Sequence, residues 1–508
     1  CTDSLALNYD PLASVDDGSC TYQMTYVPDA NFEAYLENNG MGNGISNDDY
    51  VSTANINTVT YLDVSIQNIS DLTGIEDFIS LEDLYCNDNQ LTSLDISNNI
   101  ALTYLNCENN QLTSLDVSQN TSLFTLKCSY NQLISIDLSS NINLDQVRCF
   151  SNQLTSLDVS NSTFLTILNC KDNQLTSLDV SQNSALTDLA CGGFYSGGGN
   201  QLTNLDVSQN IALTALRVDN NQLANLDISQ NNTLTILTCS NNQLTNLDIS
   251  NNIALTEFNC HNNQLTNLNV TQNTALSWLM FSYNLIASID VSNNTALTYL
   301  GFSQNQLTSL DVSQNTALTN LSCQHNQLTS LELSQNILLE ILHCSHNQLT
   351  DLDVSGQHFL NDFFCGDNDL TELNVKNGNN VNFEFFDASQ NINLYCINVD
   401  DTTWSNANWS SSIDPQHYFS FNCPFWISPS WNCINNICID PGDGSGNFID
   451  STLCISSCVQ TEISDQLNNY KLELIRIIDV LGRETKQTNQ PLFYIYDDGT
   501  VEKRIVIE

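Results

Sequence analysis

Ahead of residue 471 the chain carries only five basic residues, Lys127, Arg148, Lys171, Arg217 and Lys376, on a sequence with 57 acidic ones and a formal net charge of -46. Lys127, Arg148, Lys171 and Arg217 recur at related spacings, so they gather into a local cationic strip. Ammonium and guanidinium groups make charge-assisted hydrogen bonds to carboxylate and sulfate, which points to an anionic ligand such as a uronate or a sulfated glycan. Tyr85, Tyr104, Tyr130 and Phe150 lie beside the strip in sequence register, and ring faces of this kind stack on sugars. An equal reading is that these cations only offset the acidic field.

Other residues carry chemistry of their own. Trp278, Met280, Tyr283 and Tyr299 fall at the same register positions further along and form a second aromatic patch. His325, His343 and His346 fall on adjacent copies, a spacing that suits either a transition metal or ordinary surface histidines. Asp3, Asp10, Asp16 and Asp17 offer oxygens to a calcium ion, and suit turns equally well. The sequence holds no G-x-S-x-G, H-E-x-x-H, phosphate-binding or dinucleotide fingerprint. No catalytic residue is assigned, and the chain is expected not to be an enzyme.

What must position these side chains is a repeat. The stretch N-Q-L-T-S-L-D-V-S-Q-N returns almost unchanged at Asn110–Asn120, Asn173–Asn183 and Asn305–Asn315, and the full 21-residue unit reads L-x-x-L-x-C-x-x-N-Q-L-T-x-L-D-V-S-x-N-x-A. It starts at Leu81, Leu102, Leu123, Leu144, Leu165 and Leu186, and after an insertion at Leu213, Leu234, Leu255, Leu276, Leu297, Leu318, Leu339 and Leu360. In Leu102–Cys107, positions 4 and 6 turn inward while 3 and 5 turn outward, the period of a strand. Copies then stack one strand beside the next at about 4.8 Å, so some 15 coils build a parallel sheet roughly 70 Å long. The asparagine at position 9 (Asn89, Asn110, Asn131) is expected inside the turn, bonded to backbone groups of adjacent coils. Position 15 repeats Asp95, Asp116, Asp137 and Asp158, whose carboxylates suit the amides of the following turn or bridging calcium. No copy has room for a helix.

The pattern L-x-x-L-x-L-x-x-N/C-x-L resembles that of leucine-rich repeats over about two-thirds of the chain. The resemblance implies a solenoid with its sheet on a concave face, lined by positions 3, 5, 7 and 8. Those positions vary while 9 to 19 scarcely change, which is the distribution of a binding surface on a fixed frame. Between Cys191 and Asn200 eight residues replace the usual two, carrying Phe194 and Tyr195 among glycines. That insertion emerges beside the strip and reads as a lid over a ligand or as a plain loop.

Of the 19 cysteines, 11 occupy position 6 and are read as a buried, reduced ladder, since Val218, Phe281 and Phe302 stand there in other copies. The remaining eight are expected in disulfides: Cys1 with Cys20, Cys396 with Cys423, and Cys433, Cys438, Cys454 and Cys458 in one of three pairings. Disulfides bracketing a solenoid imply export, so an extracellular or outer-surface location is expected. Nucleic acid is excluded as a partner, because so acidic a chain cannot neutralise phosphates.

Five segments follow. Residues 1–22 form a small acidic disulfide module resembling those of secreted flavobacterial proteins, and 23–80 an N-terminal cap with a short helix starting near Asp29 and a first imperfect repeat. Residues 81–400 are the solenoid, and 401–460 a disulfide-containing C-terminal cap and linker. In 461–508, Ile477–Glu484 and the hairpin pattern Phe493–Ile507 resemble the small β C-terminal sorting domain of the Bacteroidetes type 9 secretion system. That resemblance implies the type 9 machinery as a partner. The function expected is recognition or adhesion, with a glycan or protein bound on the concave face; the alternative is a structural protein that self-assembles.

Overall fold

The computed structural model describes residues 1, 2, 4, 6–193 and 198–423, together with the backbone of the strands Asn432–Ile434, Ile437–Ile439, Leu474–Asp479, Pro491–Tyr496 and Val501–Ile505. These divide into two compact units, Cys1–Asn347 with Gly356–Phe364, and Gln348–Ser355 with Cys365–Glu508.

The first unit opens with a cap. Asp29 starts the helix Ala30–Asn38, its Oδ1 accepting from the amides of Asn31 and Phe32 at 3.0 and 3.1 Å. Its Oδ2 accepts from the amide and hydroxyl of Ser70, both at 2.8 Å, which ties the helix to the first coil. Phe32, Leu36, Ile56 and Phe78 are fully buried beneath it, covering the apolar end that a solenoid would otherwise expose to water.

Repeats follow as three-residue parallel strands in exact 21-residue register, so Leu105 lies beside Leu126 and Leu126 beside Val147. The coil is a strand rather than a helix because its apolar positions alternate. Leu102, Leu105, Cys107, Leu112 and Val117 are fully buried and Leu115 nearly so. Burying each such side chain contributes about 1.5–3 kcal/mol. The six-residue lengthening after Cys191 leaves the register intact: Leu189 still pairs with Leu216.

Two asparagine ladders close the turns. Asn110 Nδ2 donates to the carbonyls of Cys86 and Cys107, while its Oδ1 accepts from the Leu91 amide at 2.9 Å. This is the role expected from position 9. A second ladder, which the repeat pattern does not announce, runs at position 19: Asn120 Nδ2 donates to the Ile96 and Asn99 carbonyls at 3.0 and 2.9 Å, and Asn141 repeats the arrangement one coil on. Each fully buried position-19 amide thus satisfies two carbonyls of the preceding coil, a requirement of any chain that turns inside its own core.

In the second unit the strands Asp351–Asp353, Glu372–Asn374, Cys396–Asn398 and Tyr418–Ser420 form a parallel sheet of their own. The helix Thr402–Asn408 is capped by Asp401, and Phe383, Phe386 and Trp409 pack together, with Phe386 stacked on Trp409 at 4.2 Å. Phe385 is 57% exposed, because it alternates with Phe386 along a strand. The disulfides Cys1–Cys20 and Cys396–Cys423 are formed, as the cysteine spacing predicts. Tail strands Pro491–Tyr496 and Val501–Ile505 pair antiparallel, as the hairpin pattern predicts. The side chains of Cys433, Cys438, Cys454 and Cys458 lie outside the described residues.

Candidate strand-face recognition site

The sheet of the first unit presents positions 3 and 5 of its coils, most of them partly exposed, while Thr125, Ala190, Ala215, Asn259 and Gly301 are buried. At its N-terminal end these positions assemble into one continuous strip. Tyr61 and Tyr85 have ring centroids 5.5 Å apart, and Tyr85 stacks on Tyr104 at 4.6 Å with an interplanar angle of 27°. Lys127 Nζ lies 5.2 Å from the Tyr104 centroid, a cation–π contact. Arg148 is in direct register with Lys127 on the next strand. Burial, with the neighbouring tyrosine, raises the pKa of Tyr85; burial raises that of Tyr104 as well, so both phenols stay neutral and present hydroxyls as well as ring faces. Tyr61 is not evident from the repeat pattern, because it stands in the imperfect first copy, where only the alternation of Leu62 and Val64 gives the register.

The other two cations of the strip are placed differently. Arg217 donates to Asp188 Oδ1 at 2.7 Å, so its charge is already matched by a neighbouring strand. Lys171 belongs to the turn after its strand rather than to the strand itself. The insertion is rooted just here. A Cβ on Gly192 would come 2.5 Å from the Asp219 backbone and one on Gly199 would collide with the Asn220 carbonyl. Gly192 and Gly199 are therefore close-approach residues that fix the loop's base against the next coil. Phe194 and Tyr195 lie outside the described residues.

The second aromatic patch resolves into two pieces. Trp278 and Tyr299 stack at 4.9 Å and 16° on adjacent strands, with the Tyr299 ring folded across Gly301, where a Cβ would meet Cε1 at 3.0 Å. Met280 occupies the neighbouring outward position on the Trp278 strand. Tyr283 is half exposed and packs edge-on against His261 at 5.1 Å, on the turn edge. Tyr130 and Phe150 form a similar pair at 5.0 Å. Position 8 is left-handed in coil after coil, with φ of 55° at Asn109, 53° at Tyr130 and 55° at Tyr283. Asparagine accepts that backbone readily; tyrosine there carries a strain of roughly 1 kcal/mol.

The acidic groups are mostly engaged in structure. Asp116 Oδ1 accepts from the Ser118 amide at 2.9 Å, and this amide and hydroxyl hold its carboxyl below the ordinary range; Asp95, Asp179 and Asp227 behave alike. Asp10 and Asp16 accept amides two residues on, and Asp17 accepts both amide and hydroxyl of Ser19. Asp3 lies outside the described residues. Among the described residues no set of three or more His, Cys, Asp or Glu gathers as a metal site.

All 11 position-6 cysteines are buried and outside any disulfide. Burial pushes Cys149 and Cys323 up to about 12, so they stay protonated and serve as small apolar fillers. No helix among the described residues is long and apolar enough to cross a membrane.

No protein-family model and no curated protein matches the chain. Solved structures do. The functional domain of InlJ from Listeria monocytogenes, which includes a cysteine ladder, is 30% identical with a TM-score of 0.67, over 94% of this chain and 97% of that one. A leucine-rich-repeat protein of Leptospira interrogans is 24% identical with a TM-score of 0.57, over 73% of this chain and 97% of that one. YopM, a leucine-rich effector protein from Yersinia pestis, is 25% identical with a TM-score of 0.51, over 61% and 84%. Coil length, buried asparagines, cysteine ladder and end-to-end coverage converge: this chain belongs to the bacterial leucine-rich-repeat proteins.

Proposed function

We propose that the chain is an exported or surface recognition protein that binds an acidic polysaccharide along the strand face of its solenoid. The family and the fixed frame with a variable face support a binding role in general. One observation carries the finer reading: the unbroken series Tyr61, Tyr85, Tyr104, Lys127 and Arg148, in which packed rings, one pair tilted and one stacked, lead directly to two cations in register. Stacked rings fit the faces of consecutive sugars, and the cations fit uronate or sulfate groups projecting from them. Trp278 and Tyr299 supply a second platform on the same sheet.

Export is the matching compartment. The formed disulfides favour an oxidising environment, and the tail's resemblance to a type 9 sorting domain names the machinery that would deliver the protein.

Binding of the full chain to immobilised polygalacturonate, heparin and neutral glucan at low and high salt tests the proposal. Salt-sensitive retention on the anionic polymers with none on glucan is the expected result. Retention on none of the three turns the assignment toward a protein ligand.

A further inference from the structure

Two imidazoles stand face to face on the turn edge of the first unit. His325 and His346 occupy position 8 of consecutive coils, both exposed, with ring centroids 4.0 Å apart and planes 9° from parallel. The backbone fixes this approach. Both residues are left-handed, with φ of 55° and 56°, and each precedes a ladder asparagine, Asn326 or Asn347, buried in the turn. The His325 amide donates to the Ser345 carbonyl at 3.0 Å and the Asn326 amide to the His346 carbonyl at 3.2 Å, stitching the two turns together. Their side chains therefore leave the edge side by side. His343 does not join them: it sits on the strand face, its Nε2 3.1 Å from Asp362 Oδ1 and its ring edge-on to Phe364. The trio suggested by the sequence is thus a pair.

We propose that His325 and His346 form a two-imidazole site for a divalent transition metal, with the ion's other positions open to water or to an external ligand. Imidazole suits copper, nickel and zinc, while calcium and magnesium want oxygens. In the stacked pair, 9° from parallel, the nitrogen lone pairs do not converge, so metal–nitrogen bonds of about 2.0–2.1 Å require the exposed rings to swing apart about their side-chain torsions until their planes meet at the ion. With two protein ligands the ion is held reversibly and is not required for folding, and acid releases it because the ligating imidazoles must be neutral.

Calorimetric titration of the full chain with Ni²⁺, repeated with Zn²⁺, tests this. Asparagine is the informative replacement, because Asn241 and Asn262 hold the equivalent position at φ of 53° and 52°, so His325→Asn and His346→Asn keep the backbone and remove one ligand each. The expected result is one ion per chain, with affinity lowered about tenfold or more by either substitution and unchanged by His343→Asn. No binding to the native chain, or binding that survives His325→Asn with His346→Asn, overturns the assignment. So does an equal loss in His343→Asn, which would move the ion to the strand face. Circular dichroism melts of each variant separate loss of a ligand from loss of fold.

Discussion

Lys127 Nζ stands 5.2 Å from the centroid of the Tyr104 ring, and that ring is itself stacked on Tyr85. The ammonium is thus held over a platform by its neighbour, at the junction between the aromatic and the cationic part of the strip. Replacing the ring should therefore differ from replacing the charge. Tyr104→Leu is expected to weaken polysaccharide binding several-fold at both low and high salt, since stacking is not screened. The effect of Lys127→Ser should shrink as salt rises. Binding isotherms for both variants at two ionic strengths check this.

The cysteine ladder makes a prediction about alkali. Burial holds Cys107, Cys149, Cys191 and Cys323 protonated up to about 12 against an ordinary value near 9.0. With the folded-state value raised, this stabilisation is complete below the unfolded value and lost as pH rises through the folded one. Thermal stability should accordingly fall from about pH 9 upward. In the native protein at neutral pH, the 11 thiols should resist alkylation and react only in denaturant. Cys149→Val should be tolerated, as Val218 shows, whereas Cys149→Ser buries a hydroxyl at a cost of about 1–3 kcal/mol.

The aspartate column should tolerate loss of charge and not loss of its acceptor oxygen. Asn269 occupies the same position as Asp116 and accepts from the Thr271 amide at 3.0 Å in the same way. Asp116→Asn is expected to leave the melting temperature unchanged or raise it at low salt, and Asp116→Ala to lower it. Because the Asp116 carboxyl is held below its ordinary range, its contribution is present above the unfolded value near 3.8 and lost as pH falls through the lower folded value. Melts across that acidic range should show the native chain, and not Asp116→Asn, losing this contribution.

Ser162 is the weak rung of the second asparagine ladder. Its Oγ donates to the Asn141 carbonyl alone, at 3.2 Å, where Asn141 and Asn183 each donate to two carbonyls. Ser162→Asn should add the missing bond, although its amide oxygen would be buried without a partner as in the neighbouring rungs. A net gain of about 0.5–1 kcal/mol in a denaturant titration is expected. A loss would mean that the slot at this coil is narrower than its neighbours.

Most of the frame was legible because a strict repeat averages out local ambiguity. Leu102, Leu105 and Cys107 declare their faces in every copy, and Asp29 announces its helix. What the sequence hides is where side chains of unlike copies meet. Arg217 looks like Arg148 in register, and only the placement of Asp188 shows that its charge is matched. Tyr283 shares its neighbourhood with Trp278 in sequence, yet the left-handed backbone at position 8 carries it to the turn edge and to His261. The position-19 ladder was missed for a different reason: an asparagine in a polar turn reads as a surface residue until its burial is seen.

The most direct test of the account is a calorimetric titration of the full chain with a defined oligogalacturonate, comparing the native protein with Lys127→Ser, Arg148→Ser and Arg217→Ser. Each lost charge-assisted contact is worth roughly 1.5–3 kcal/mol, so affinity should fall about tenfold or more for the first two variants. It should change little for Arg217→Ser, whose charge already serves Asp188. Equal affinities in all four proteins, at melting temperatures that show them folded, would contradict the account.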